Sequence, residues 1–236
     1  MDITHKDLIN DQDFLREAIG WDVINWTPAI SHWTSALGDN PKGKCLELGC
    51  GPGGISLYLS VLGLEVTCSD LELPGQEVRE LHAKYGVEHT IRYEAINALD
   101  IPYENHFDYV VFKSVLGGVS RNGNDHHRHL VLSQIKKCLK DGGILLFAEN
   151  SSGSALHQFF RKHFIKWGND WNYISLAEMK KELSIFELLY MNVNGFLGTF
   201  GRNENQRRNL AWADKLFFDP ITPRSWKYIL YGSAKA

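Results

Sequence analysis

The chain has 236 residues, which is enough for one large α/β domain with additions and too few for two full domains. Hydrophobic residues make up 44% and charged residues 22%, values typical of a globular protein. The formal net charge of −3 gives no overall attraction to nucleic acid or to an anionic membrane, and we expect neither as a partner.

The apolar runs and the cysteines predict the environment of the protein. No stretch approaches about 18 consecutive apolar residues, so we expect no transmembrane helix. Residues 1–20 are rich in acidic residues and lack the apolar region of a secretory signal. The four cysteines form no C-x-x-C pair, which favours reduced thiols. We therefore expect a cytoplasmic protein.

The first 40 residues are predicted to be helical. Residues 5–19 form one helix, and a second begins with Thr27 as N-cap and Pro28 as its first residue. Four apolar residues follow at steps of four, three and four, on one stripe that we expect to face the core: Trp26, Ile30, Trp33 and Leu37.

From Cys45 onward, strand patterns alternate with helical patterns. The predicted strands are 45–48, 64–69, 89–95, 107–113 and 144–149, and the predicted helices are 53–62, 74–85 and 125–139. This alternation predicts right-handed crossovers and a mostly parallel sheet with helices on both faces, the architecture of an α/β fold.

After residue 150 the alternation continues. We predict helices near 154–166 and 175–182, a strand near 185–194 and a final strand at Ser225–Ala234. Residues 202–208 are predicted to be a polar loop between the last two strands. No repeat or low-complexity linker divides the chain.

The segment Lys44–Gly54 is the most informative of the chain. Its sequence, KCLELGCGPGG, is a short apolar strand that carries Glu47 and then four glycines within six residues. Glycine allows positive φ and a close approach of the backbone to a ligand, and the following helix presents free N–H groups at the same place. The segment therefore predicts a site for a nucleotide-like ligand.

Two kinds of ligand fit this loop. The glycine spacing, with Asp70 at the end of the next strand, matches both the dinucleotide fingerprint and a looser G-x-G-x-G pattern. Glu47 separates the two, because a carboxylate before the loop would repel a pyrophosphate but suits a ligand with a cationic amino group.

Leu46–Gly53 together with Asp70 resembles the cofactor loop of class I S-adenosylmethionine-dependent methyltransferases. Three further segments resemble that family in the right order: Ile96–Tyr103, Phe107–Ser114 and Leu139–Phe147. The resemblance implies a Rossmann-like, doubly wound, seven-stranded sheet with a C-terminal antiparallel hairpin. It also implies an N-terminal helical lid over residues 1–40 and a single catalytic domain over 41–236.

The resemblance also implies the cofactor, S-adenosylmethionine, with S-adenosylhomocysteine as product. Glu47 would lie near the amino acid part, Asp70 would accept both ribose hydroxyls, and Leu71 would cover the adenine. Asn97 stands where the family often has Asp, and its amide oxygen can still accept from the adenine amino group. The implied cofactor-binding set is Glu47, Gly49, Cys50, Gly51, Gly53, Asp70, Leu71, Asn97, Ala98, Lys113 and Ser114.

A base for acceptor deprotonation is sought after the fourth strand, where Asp125 precedes His126 and His127. Imidazole titrates near neutral pH, so these two histidines are the predicted catalytic residues. A helix cap at Asp125 with solvated histidines remains the alternative. We predict no metal site, because His126 and His127 point to different faces of a helix.

The acceptor is predicted to be a small molecule bound by Trp26, Trp33, Glu149 and His157. Trp21–Trp26, Gly195–Gly201 and Pro223–Tyr228 are similar to segments of small bacterial methyltransferases found with polysaccharide-assembly enzymes. That similarity implies O- or N-methylation of a carbohydrate or a sugar-linked molecule. Methylation of protein or nucleic acid, an NAD-dependent oxidoreductase and a non-catalytic module with the cofactor fold remain alternatives.

Overall fold

The computed structural model describes residues 11–165, 168 and 170–236. In this part of the chain one seven-stranded sheet has the strand order β3-β2-β1-β4-β5-β7-β6. The strands are β1 (Lys44–Leu48), β2 (Glu65–Asp70), β3 (Ile91–Ala95), β4 (Phe107–Lys113), β5 (Leu139–Asn150), β6 (Glu187–Asn194) and β7 (Ile229–Lys235). The first five pair in parallel, whereas β7 is antiparallel to both β5 and β6. The predicted mostly parallel sheet with a C-terminal hairpin is confirmed.

Helices connect these strands and cover both faces of the sheet. They are α1 (Gln12–Ile19), α2 (Val23–Leu37), α3 (Gly54–Val61), α4 (Gln76–Lys84), α5 (Leu116–Val119), α6 (His126–Cys138), α7 (Ala155–Phe164), α8 (Leu176–Glu182) and α9 (Glu204–Ala213). The prediction was wrong at the start of β5, which begins at Leu139 because Leu139 pairs with Phe107 across an irregularity in the ladder. None of the helices described here is long and apolar enough to span a membrane.

The predicted start of the second helix was also wrong. α2 begins at Val23, and Pro28 lies inside it. The Thr27 hydroxyl donates to the Val23 carbonyl at 2.7 Å instead of capping the helix. The cap comes from Glu204, whose carboxylate accepts from the Asp22 and Val23 backbone N–H groups at 2.8 and 3.2 Å. A carboxylate from a distant part of the chain thus moves the helix start by one turn.

The prediction of a polar loop over residues 202–208 was wrong, because helix α9 begins at Glu204. Asn203 caps α9 by accepting from the Gln206 N–H at 3.0 Å. Only Ala211 of this helix is buried, so its polar sequence carries no apolar stripe. A single wider turn over Asp214–Phe218 continues the helix.

The N-terminal helices pack into the core of the domain. Trp26, Ile30, Trp33 and Leu37 are all buried in one cluster with the inner face of the sheet, which confirms the predicted stripe. A Cβ on Gly54, the first residue of α3, would lie 2.3 Å from the Glu17 carbonyl oxygen of α1. Residues 12–37 therefore share a core with the sheet, while residues 1–10, including the start of the predicted helix 5–19, lie outside the described residues. Lid closure stays a prediction.

Candidate cofactor and acceptor site

The glycine loop after β1 is tied to the end of β2. The Cys50 N–H donates to the Ser69 carbonyl at 2.9 Å, and the Gly51 N–H donates to Asp70 Oδ2 at 3.0 Å. The Ser69 hydroxyl donates to the Glu47 carbonyl at 2.6 Å. The loop and Asp70 therefore form one edge of a cleft at the carboxyl ends of the parallel strands, where open α/β sheets bind ligands.

Gly51 is the loop glycine that borders open space. Gly49, Gly51 and Gly53 have φ of +68°, +50° and +84°. A Cβ on Gly49 would lie 2.8 Å from Val115 Cγ2, and a Cβ on Gly53 would lie 2.6 Å from Val78 Cγ1. At Gly51, no described atom lies within 4 Å of the position that a Cβ would take. The packing of the protein thus requires glycine at Gly49 and Gly53, whereas Gly51 faces open space.

Glu47 lies beneath this loop and is 2% exposed. The Ser56 hydroxyl of α3 donates to its carboxylate. Burial, with the nearby Cys68 and Asp70 adding to it, raises the pKa of Glu47 well above its usual value. A cation brought beside this carboxyl would favour the ionised form, so the site suits the amino group of an amino acid.

Polar and apolar groups for a nucleoside follow β2 and β3. Asp70 Oδ1 accepts from the Leu71 N–H at 2.8 Å, and the Leu71 side chain is 70% exposed. Asn97 is exposed beside the half-buried Ala98, and its amide oxygen already accepts from the Leu99 N–H at 3.0 Å. Asp70 lies opposite Ala95, so the ends of the two strands are adjacent.

Lys113 ends β4 between the loop and α2. Its ammonium lies 4.5 Å from the centre of the Trp26 ring and 5.8 Å from that of Trp21. Desolvation lowers the pKa of Lys113 to about 8, against the attraction of Glu47, Glu149 and Asp22. Within the described part of the chain it makes no ion pair within 4 Å. The cation is therefore held by aromatic faces and is free to meet an anionic group.

Ser114 follows in the left-handed region, with φ of +60°. Its hydroxyl accepts from Asn150 Nδ2 at 2.9 Å, which fixes the end of β4 against the end of β5. Non-glycine residues in this region carry strain, and such strain is concentrated at binding sites. The geometry places both members of the predicted pair at the cleft.

The predicted acceptor residues lie deeper than their sequence positions suggested. Trp26 and Trp33 are 1% and 0% exposed and belong to the core, although Trp26 reaches the cleft through Lys113. Glu149 is buried and accepts from the Leu116 N–H at 2.7 Å and the Asn150 N–H at 2.9 Å. Burial raises the pKa of Glu149 to about 7. It caps the start of α5, the short helix after β4.

His157 is held on both sides of its ring. Nδ1 lies 2.7 Å from the Ser154 hydroxyl, and Nε2 lies 2.7 Å from the Phe196 carbonyl. Burial lowers the pKa of His157 to about 4. The neutral imidazole therefore joins α7 to the segment after β6, and the structure does not offer it a free ring nitrogen.

The two predicted catalytic histidines lie at the start of α6. His126 is exposed, and His127 Nδ1 lies 2.9 Å from the Val119 carbonyl of α5. Asp125 does not cap α6, because its side chain accepts from Asn172 Nδ2 at 2.6 Å. The catalytic role of His126 and His127 stays a prediction. In the described chain, no group of three or more His, Cys, Asp or Glu residues could hold a metal ion.

Two groups near the cleft had no local signal in the sequence. Among the described residues the buried Tyr173 hydroxyl finds no hydrogen-bond partner, and the Tyr173 ring lies 4.0 Å from the Arg161 guanidinium. Arg161 is 4% exposed and donates to the Ser151 carbonyl at 2.7 Å. It turns inward and so satisfies the backbone after β5.

A pH dependence of stability follows from His157. In the unfolded chain it titrates near 6.5, and in the fold near 4. The unfolded state therefore binds the extra proton, so stability is present above pH 6.5 and is lost as pH falls through 4. We expect His157→Gln to lack this loss, so that the wild type loses about 3 kcal/mol relative to the variant between pH 7 and pH 4.

Chemical denaturation at each pH measures this difference. The contribution of Glu149 to the pH dependence of stability has the opposite sign. Because the pKa of Glu149 is raised in the fold, this contribution is lost as pH rises from 4.5 to about 7. Comparison with the wild type cancels that contribution. His163→Gln, on the exposed face of the same helix, should follow the wild type. Parallel curves of unfolding free energy against pH for all three proteins would contradict the expectation.

Comparison with known proteins finds similarity to methyltransferases. Residues 46–147 match a family described as a methyltransferase domain. An uncharacterized methyltransferase of Staphylococcus carnosus (strain TM300) is 24% identical over 189 residues, which cover 77% of this chain and 82% of that protein.

Solved structures share the fold. Phosphoethanolamine N-methyltransferase 2 of Haemonchus contortus, in complex with S-adenosyl-L-methionine, has a TM-score of 0.62 at 16% identity and covers 98% of this chain and 57% of its own. Geranyl diphosphate C-methyltransferase from Streptomyces coelicolor A3(2), in complex with S-adenosyl-L-homocysteine, Mg²⁺ and geranyl diphosphate, also has a TM-score of 0.62 at 16% identity. That match covers 96% of this chain and 86% of the other.

These matches decide between the two ligands that the loop pattern left open. Glu47 and the space at Gly51 suit an amino acid nucleoside without phosphates, and solved methyltransferases of the same fold hold S-adenosyl-L-methionine or S-adenosylhomocysteine. The matched domain, the methyltransferase relative and the shared fold support a class I S-adenosylmethionine-dependent methyltransferase, with S-adenosylmethionine as cofactor and S-adenosylhomocysteine as product.

Proposed function

We propose that this methyltransferase acts on a hydroxyl or an amide nitrogen of a sugar or sugar-linked small molecule. The observation that carries the proposal is a pair of half-buried indoles on the two sides of the end of β4. Trp21 lies beyond Lys113 on one side, and Trp171 lies against Gly117 on the other, where a Cβ would be 2.0 Å from its Nε1. Flat aromatic faces with a polar handle suit the apolar faces of sugar rings.

The cofactor roles are proposed from the same geometry. Glu47 would pair with the amino group of S-adenosylmethionine, and Lys113, beside Ser114, would pair with its carboxylate. Asp70 would accept from the ribose hydroxyls while it holds the Gly51 N–H. Leu71 and Ala98 would cover the adenine next to Asn97. Gly49, Cys50 and Gly53 shape the loop without needing a contact of their own.

The chemistry is an in-line displacement. The acceptor lone pair forms the new bond to the methyl carbon, the carbon–sulfur bond breaks, and its electron pair stays on sulfur. The positive charge moves from the sulfonium to the acceptor, which then releases its proton. The contribution of the protein is to hold the two reactants in contact and to keep water out.

His127 is the proposed base for that proton. Its Nδ1 faces the Val119 carbonyl at 2.9 Å, so Nδ1 carries the hydrogen in the neutral ring. Nε2 is then left with a lone pair. His126, which is exposed at the first position of α6, is the second candidate. Both are proposed from their position after β4.

The test is S-adenosylhomocysteine release from the purified chain, measured over a panel of acceptors. Nucleotide sugars and free sugars form one arm, and carboxylates, phosphorylated amines and isoprenoid diphosphates form the other. We expect turnover in the sugar arm. Asp70→Ala should weaken cofactor binding by about 1–3 kcal/mol and remove the signal at low cofactor concentration. Turnover confined to the second arm would overturn the sugar assignment and leave methyl transfer intact.

A further inference from the structure

One surface of the protein exposes an unusual number of large apolar side chains. They lie on α7 and on the segment 195–228, which connects β6 to β7, and we call this surface the apolar cap. Its exposed members are between 48% and 75% accessible to solvent: Leu156, Phe159, Phe164, Trp212, Leu216, Phe217, Ile221 and Trp226. Exposed apolar residues in such density mark an interaction site.

The apolar cap stands at the same edge of the sheet as the cofactor loop. α7 begins five residues after the end of β5. The neighbouring strand β4 ends at Lys113. β7 is antiparallel to both β5 and β6, so β6 also ends at this edge. Segment 195–228 starts and finishes there. The cap therefore borders the acceptor side of the cleft.

The two parts of the cap share an inner layer. The Phe160 and Phe200 rings lie 5.1 Å apart, and the His157 and Phe196 rings are also 5.1 Å apart. Phe196 further packs 6.0 Å from Phe218. These inward rings fix the orientation of both elements, so the outer side chains are exposed on a packed support.

The charge around the cap is uneven. In segment 195–228 every charged residue that is exposed is basic: Arg202, Arg208, Lys215 and Arg224. The acidic side chains of the segment are all paired with other groups of the protein. Glu204 caps α2, Asp214 accepts from the Phe196 and Leu197 N–H groups, and Asp219 pairs with Lys227 at 2.6 Å. The net charge of −3 therefore hides a locally basic face.

We propose that the apolar cap docks on an anionic lipid membrane surface. Apolar side chains between basic ones are the pattern of an interfacial site, where rings enter the headgroup boundary and cations meet acidic headgroups. A second copy of the chain fits less well, because a two-fold interface brings the same patch of both copies together. The basic residues Lys215 and Arg224 of one copy would then approach the basic residues of the other copy. Docking of this kind would present the acceptor side of the cleft to the lipid. The inference is independent of the acceptor proposed above.

Vesicle flotation tests the proposal with the full chain. We expect binding to vesicles of phosphatidylglycerol and phosphatidylcholine and much weaker binding to phosphatidylcholine alone. Raising the salt from about 0.1 M to about 1 M shortens the Debye length from about 10 Å to about 3 Å and should release most of the protein. Equal binding to both kinds of vesicle, or no binding to either, would overturn it.

Paired variants locate the surface. Leu216→Ser with Phe217→Ser should weaken binding by about tenfold or more, because both side chains are mostly exposed and would enter the interface. The matched control is Leu130→Ser with Leu189→Ser, which removes exposed leucines of α6 and β6 and should change nothing. Lys215→Glu should weaken binding to anionic vesicles by about fivefold or more.

Two further readouts separate this proposal from its alternatives. Binding of S-adenosylhomocysteine should be unchanged in the Leu216 and Phe217 variant, which shows that the fold and the cofactor site are intact. Sedimentation should find the same oligomeric state in the variant and the wild type. A concentration-dependent dimer that this variant disperses, without vesicle binding by the wild type, would assign the cap to a second copy and overturn membrane docking.

Discussion

Gly51→Val is expected to abolish measurable binding of S-adenosylhomocysteine, with a loss of about 100-fold or more, or about 3 kcal/mol. The position of its Cβ meets no described protein atom within 4 Å, so the new side chain would enter only the space that we propose for the ligand. Titration calorimetry or the thermal shift caused by the ligand measures the loss, since a ligand that binds the native state raises its melting temperature.

Backbone strain is the competing effect, and Gly86→Val controls for it. Gly86 has φ of +68°, close to the +50° of Gly51, and it also has no described atom near its Cβ position. Both variants should lose about 1–2 kcal/mol of folding stability from the left-handed backbone. Only Gly51→Val should lose the ligand. Equal binding in the two variants would place the cofactor elsewhere.

The fold was predictable where the signals are local. Strand patterns, the glycine loop and helix-ending glycines lie within a few residues of the structure that they cause, and β1 to β4 appear within two residues of their predicted bounds. The start of α2 was not predictable, because Glu204 caps it from 181 and 182 residues away. Helix α9 was missed because it buries one residue and so has no stripe to detect.

The positions of the proposed cofactor residues in the fold were predictable for the same reason. Glu47, Gly51 and Asp70 stand at strand ends, and parallel strands bring their carboxyl ends together. The acceptor side is built by contacts between distant segments. Tyr228 donates to the buried Asp22 across 206 residues, and His157 joins α7 to Phe196. Pairs so far apart in the chain produce no local sequence pattern from which they could be predicted.

Glu47→Gln is expected to separate ligand binding from stability. Burial raises the pKa of the Glu47 carboxyl well above its ordinary value of 4.5. Its stabilising contribution is therefore fully present below pH 4.5 and is lost as pH rises through the folded pKa. The amide has no such loss, so the variant should be at least as stable as the wild type at pH 8. It should bind cofactor about 100-fold more weakly, since a buried charge pair is lost.

The pH dependence of binding identifies the cationic partner. Below about pH 8, wild-type affinity should rise with pH as Glu47 ionises, whereas the affinity of Glu47→Gln should show no rise. Affinity should fall above about pH 8, where Lys113 loses the proton that pairs with the cofactor carboxylate. If the carboxylate meets the amino group, S-adenosylmethionine and S-adenosylhomocysteine should lose affinity equally, because both carry that group. A loss confined to S-adenosylmethionine would instead place the sulfonium beside Glu47. Glu65→Gln, an exposed carboxylate at the opposite end of the neighbouring strand, should leave binding of both ligands unchanged. Unaltered binding in Glu47→Gln would remove the physical reason for preferring a cationic ligand over a diphosphate at this loop.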